Sequence, residues 1–176
     1  LLHRRPDLRI VEIRGNVETR VRKMRAGDAD AIVLARAGLE RLGLAAEIPH
    51  AVLPAHVMLP AVGQGFLAAT TLEGHPSRDI VREALNDGMG EKAALAERAM
   101  LRALEGGCRV PVGALGAVEG GEVHLKGLVA SPDGALVYEG AATGPGPEEV
   151  GARLARDLLG QGAGIVLAEI QEVRST

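Results

Sequence analysis

Residues 9–17 read Arg9-Ile10-Val11-Glu12-Ile13-Arg14-Gly15-Asn16-Val17, and residues 31–35 read Ala31-Ile32-Val33-Leu34-Ala35. The first stretch has strand character over 9–13 and then reaches Asn16, a natural N-cap whose side-chain oxygen can accept a backbone N–H of the following turn. Val17, Val21 and Met24 recur at helical spacing, so a helix is expected from Val17 to about Arg25, stopped by Gly27. Residues 31–35 then read as a fully buried strand, followed by a short helix over 38–42. Strand, helix, strand, helix at this spacing predicts a parallel α/β sheet with a right-handed crossover.

Outward from this stretch the character changes. Pro49, Pro54, Pro60, Gly63 and Gly65 mark 43–65 as a connection with a boundary in it. Residues 66–71 read as one more strand, 78–86 as a helix and 87–90 as a linker. A long alanine-rich helix is expected over 91–104, closed by Glu105-Gly106-Gly107, which puts Cys108 on the loop beyond it. Residues 123–126 and 136–138 flank Ser131-Pro132-Asp133-Gly134, a turn in which Pro presets φ and Gly accepts a positive one, so a hairpin is expected. Pro147 followed by Glu148 and Glu149 opens a further amphipathic helix. Residues 165–170 are apolar but of undecided type. The part from 87 to 176 is therefore expected to be α+β with an antiparallel sheet.

Composition narrows the function. The 176 residues are 47% hydrophobic and 24% charged, enough for a real core, but include one Phe, one Tyr and no Trp, with a net charge of −3. Neither the aromatic platforms nor the basic field of a nucleic-acid binder is present, so no nucleic-acid partner is expected. No run approaches the length of a membrane span, and no membrane partner is expected. A lone cysteine cannot form an intramolecular disulfide, which makes a cytoplasmic protein the expectation. The chain opens on Leu1, with no initiator Met and no signal-peptide core, and is read as a fragment.

Three places can carry chemistry. At the end of 9–13, Arg14, Gly15 and Arg20 surround a helix N-terminus, where free N–H groups favour an anion and a guanidinium fork matches a carboxylate; the competing reading is a solvated basic face. Cys108 is either a small buried hydrophobe or an accessible thiol, since Gly106 and Gly107 open its loop and Arg102 and Arg109 favour the thiolate, while a helix C-terminus disfavours it. Gly63-Gln64-Gly65 suggests a tight bend presenting the Gln64 amide, or a plain hinge. His3, His50, His56, His75 and His124 show no metal spacing.

Four ordered segments resemble the porphobilinogen deaminase (hydroxymethylbilane synthase) family. They are Arg5-Pro6-Asp7-Leu8 running into Ile13-Arg14-Gly15-Asn16-Val17 and Thr19-Arg20; Asp30 to Ala35 with Ala37 to Gly43; Leu59-Pro60-Ala61-Val62-Gly63-Gln64-Gly65; and Glu97-Arg98 continuing through Leu104-Glu105-Gly106-Gly107-Cys108 to Gly113. Val129 to Gly134 also fits. The resemblance implies a transferase that condenses four porphobilinogen molecules into hydroxymethylbilane with release of ammonia, acting on porphobilinogen and oligopyrrole intermediates. Cys108 would hold a covalent dipyrromethane cofactor; Arg14, Arg20 and Arg41 would bind carboxylates of cofactor and substrate. Gly15, Leu34 and Ala35 would contribute through backbone, and Gln64 from a crossing segment.

The implied fold is α/β, periplasmic-binding-protein-like and partial, followed by a small α+β domain. Residues 1–58 would be the end of the second domain, 59–86 the crossing back into the first, and 87–176 the third. The catalytic aspartate of the family would lie upstream of Leu1, so the isolated chain is expected to be inactive, and the full-length protein to be a monomer. Where the family commonly has Ile-Glu, this chain has Ala69-Thr70. The alternative from a different class is a non-catalytic small-carboxylate-binding module of periplasmic-binding-like fold.

Overall fold

Asn16 sets the first helix. Its backbone is extended and its Oδ1 accepts the Thr19 N–H at 2.8 Å, and the chain turns into α1 (Val17–Arg25). In this computed structural model, which describes residues 1–104 and 111–175 with side chains through 170, α1 belongs to a unit spanning Asp7–Pro54. α2 (Arg36–Arg41) and a short 3-10 turn (Leu44–Ala46) complete its helices. Val21, Leu39 and Ile48 are its buried core, with Val17, Ile32 and Leu34 packed on them.

The strands expected at 9–13 and 31–35 do not form among the described residues, and neither does the one at 66–71. Ile10, Val11, Val33 and Leu67 are exposed. A β-branched run states a preference for extended backbone, but a strand exists only through a neighbour's N–H and C=O groups, and no described residue supplies them here.

The second unit comprises Leu1–Pro6 with Ala55–Thr176. α3 (Ser77–Leu85) has no buried residue, whereas α4 (Gly88–Ala103) and α5 (Pro147–Gln161) pack on a sheet of β1 (Val112–Glu119), β2 (Glu122–Ala130) and β3 (Val137–Gly144). The sheet is antiparallel throughout, in the order β1-β2-β3. Residues 87–90, expected as a linker, instead open α4: Asp87 caps it by accepting the N–H groups of Met89 and Gly90. Residues 165–170 are helical, within α6 (Gly164–Ser175).

The expected hairpin is present. Gly134 has φ +76° and its N–H reaches the Ser131 carbonyl at 2.9 Å, while Ser131 Oγ donates to Asp133 and accepts the Leu136 N–H at 2.9 Å. The alternation of β2 puts Val123, Leu125 and Val129 under the helices, with Met100 of α4, Leu104 just after it, and Leu154 and Leu158 of α5 buried against them. At about 1.5–3 kcal/mol for each fully buried aliphatic side chain, this cluster is the main source of stability in the unit. Gly127 and Gly151 let the layers close: a Cβ at Gly127 would lie 2.9 Å from Leu154 Cδ2, and one at Gly151 only 2.7 Å from Ala99 Cβ.

Candidate functional site

The Asp7–Pro54 unit brings Arg14, Gly15 and Arg20 together at the start of α1. Gly15 has φ +125°, and a Cβ there would lie 2.7 Å from Thr19 Cγ2, so backbone and packing both exclude a side chain. Half-buried Arg20 donates from Nε to the Gly15 carbonyl at 2.7 Å, and Lys23 Nζ to the Arg14 carbonyl at 3.1 Å. Two cations thus hold the turn by its carbonyls. The terminal nitrogens of Arg20 have no protein partner among the described residues. Arg14 grips the Glu12 carboxylate through two bonds, Nε to Oε1 at 3.0 Å and Nη2 to Oε2 at 3.1 Å, both side chains being largely exposed. Its fork is therefore already presented for bidentate carboxylate recognition.

Leu34 is half-buried on the core of this unit, and Ala35 is the extended residue at the start of α2. Arg41 lies exposed in the last turn of that helix, with no ion pair among the described residues. The short α2 also carries an exposed Arg36–Glu40 pair at 2.6 Å, one turn apart.

Gln64 belongs to the other unit. Gly63 has φ +76°, the Gln64 N–H donates to the Ala61 carbonyl at 3.0 Å, and Gln64 Oε1 accepts the Ala61 N–H at 3.2 Å. The expected tight bend is formed, with Gln64 exposed on it. The bend lies along β1: Ala61 bridges Gly113, and the Ala114 N–H reaches the Pro60 carbonyl at 2.9 Å. Gly113 is what permits this approach, since a Cβ there would lie 3.0 Å from Leu59 Cβ and 3.2 Å from the Pro60 oxygen.

Beneath the bend is a residue to which sequence reasoning gave no role. Glu97 of α4 is 2% exposed; Oε2 accepts the Gly63 N–H at 2.8 Å and Oε1 the Gly116 N–H at 2.9 Å. Burial pushes its pKa up, opposed by these two hydrogen bonds. The available signal was its position: Ala93, Ala96, Glu97, Met100 and Leu104 form one apolar stripe, and a glutamate there is a break in the pattern. Cys108 falls between α4 and β1, outside the described residues.

Two domain families match this chain in succession. The "porphobilinogen deaminase, dipyromethane cofactor binding domain" matches residues 1–78, and the "porphobilinogen deaminase, C-terminal domain" matches residues 92–160. The chain belongs to the porphobilinogen deaminase family. The first match contains Arg14, Gly15, Arg20, Leu34, Ala35, Arg41 and Gln64; the second contains Cys108. The family's cofactor, dipyrromethane, is named in the first match itself. Among curated relatives, the porphobilinogen deaminase of Rubrobacter xylanophilus is 60% identical over 99% of this chain and 56% of its own length. Those of Syntrophomonas wolfei and Brevibacillus brevis are 45% and 44% identical over 96% and 97% of the chain and 55% of their own lengths. The chain thus spans about half the length of the curated porphobilinogen deaminases it matches.

Proposed function

We propose that this chain is the carboxylate-binding and cofactor-bearing part of a hydroxymethylbilane synthase, the transferase that condenses four porphobilinogen molecules head to tail with loss of ammonia. The observation that carries the proposal is the Arg14–Gly15–Arg20 turn. A resident carboxylate, that of Glu12, already sits on Arg14 as an acetate or propionate arm would. A dipyrromethane carries several such arms, so the residues present fit the group.

Arg14, Arg20 and Arg41 would bind those arms through the planar fork of their guanidinium groups. Gly15, Leu34 and Ala35 would offer backbone groups, with Gly15 permitting the closest approach. Gln64 would contribute an amide that both donates and accepts. Cys108 would hold the cofactor through a thioether, and the bound dipyrromethane would supply the pyrrole end on which the product chain is extended. In this reading 1–58 closes a periplasmic-binding-like second domain, 59–86 crosses back toward the first, and 87–176 is the third. The proton-handling aspartate is assigned to a segment before Leu1, so the isolated chain should not turn over; the protein would be a cytoplasmic monomer.

The test is intact mass with Ehrlich's reagent on protein co-produced with an N-terminal half from a relative. A covalent dipyrrole that disappears in Cys108→Ser supports the proposal. A bare mass with reversible carboxylate binding that survives Cys108→Ser would favour the small-carboxylate binder instead.

A further inference from the structure

The Gln64 bend is held by a group that its proposed role leaves unexplained. It meets β1 through the Ala61–Gly113 bridge and the bond from the Ala114 N–H to the Pro60 oxygen, both on its leading side. On its trailing side the Gly63 N–H donates to Glu97 Oε2 at 2.8 Å. The other oxygen of the same carboxylate takes the Gly116 N–H of β1. Two backbone donors from different elements therefore converge on one side chain, which α4 delivers from its core face.

Only a carboxylate can accept both. Glutamine accepts one and points an NH2 group at the other, and leucine accepts neither. The position is also an expensive one for a charge, since the same stripe is otherwise Ala, Met and Leu. We infer that Glu97 is a positioning residue: its carboxylate fixes Gly63 to β1 and so sets where the neighbouring Gln64 amide is presented. This rests on the role proposed above for Gln64, but the clamp itself can be tested without it.

In the full 176-residue chain, scalar couplings across hydrogen bonds should link the amide nitrogens of Gly63 and Gly116 to the Glu97 carboxyl carbon. Absence of both couplings overturns the clamp, with no variant required. In Glu97→Gln, at least one of the two amides should lose about 10-fold in exchange protection, the worth of one hydrogen bond to a charged group. The Gln64 side-chain amide and the Ala61 N–H should shift with it, while the amides of Leu104 and Leu125 keep their protection. Unchanged bend resonances, or equal loss at Leu104 and Leu125, would show that Glu97 does not position Gln64.

Porphobilinogen titration then separates the two readings. Glu97→Gln and Gln64→Ala should weaken binding to a similar degree, and the double variant no further. If Gln64→Ala leaves affinity unchanged, the ligand role of Gln64 fails while the clamp stands on the couplings. If Gln64→Ala weakens binding and Glu97→Gln does not, the positioning role fails.

Discussion

Gly151→Ala should destabilise the α4–α5 unit, against the direction that helix propensity dictates. Alanine in a helix interior is about 1 kcal/mol better than glycine. At Gly151, however, the new methyl would lie 2.7 Å from Ala99 Cβ and 2.8 Å from the Met100 nitrogen, with the Ala96 oxygen closer still. Two of these three atoms are main chain of α4, so no rotamer change relieves the overlap. The helices must separate by roughly 1 Å to restore ordinary contact, and a gap of that size forfeits a quarter to a half of each dispersion contact across the interface. With overpacking typically costing about 1–3 kcal/mol and little room to relax here, the net loss is about 2 kcal/mol.

Gly160→Ala is the internal control, because a methyl added at that glycine of α5 would meet nothing within 4 Å and should gain about 1 kcal/mol from propensity alone. Tyr138, the single tyrosine in a chain without tryptophan, packs against this core and gives a fluorescence signal specific to the unit in urea unfolding. The two glycine variants should move the midpoint in opposite directions. If Gly151→Ala stabilises as Gly160→Ala does, the close crossing of α4 and α5 is wrong.

Gly15→Ala combines a glycine-only φ with a clash on Thr19, so it should cost about 1–3 kcal/mol locally and strip protection from the Thr19 amide; adding Thr19→Ser should restore only part, because the backbone strain stays. Glu12→Gln should raise the affinity of Arg14 for added acetate by up to about 5-fold, the worth of an exposed ion pair, as read by chemical-shift titration. Glu97 titrates with a folded pKa above its unfolded value, so its contribution to stability is fully present below the ordinary glutamate pKa and is lost as pH rises through the folded one. The unfolding free energy of the protein relative to Glu97→Gln should therefore fall as pH is raised from the acid side, and a gap that widens instead would contradict the burial of this carboxylate.

What was legible in the sequence was what a few neighbouring residues decide. Asn16 capping α1, Pro147 opening α5 and the Ser131–Gly134 turn each act within four or five residues, and each is present. Strands depend on distant partners, which is why 9–13 and 31–35 read as strands and are not. The converse error is β1. Gly113 and Gly116 depress its strand propensity, yet their missing side chains are what admit Leu59 and Ala93 to the strand. In the candidate site, Arg14, Gly15 and Arg20 were readable because a cap, a glycine and a guanidinium meet within one turn. Glu97 was not, because both of its partners lie far along the chain.

The same long-range contacts bear on how Cys108 would be used. The residues on either side of its stretch are fixed: Leu104 is 2% exposed in the core, and the Pro111 carbonyl accepts the Ala130 N–H at 3.1 Å. Leu104 follows α4 and Pro111 leads into β1, the two elements that Glu97 joins to the Gln64 bend. The elements that flank the Cys108 stretch in sequence are therefore the same ones that hold the Gln64 bend. On that account a shift of α4 should be felt at the bend. Gly151→Ala, whose clash falls on Ala96 immediately before Glu97, should move the Gly63 and Gln64 amide resonances although it lies in a different helix. Resonances that stay in place while the unit loses stability would mean that the bend is held by its contacts to β1 alone.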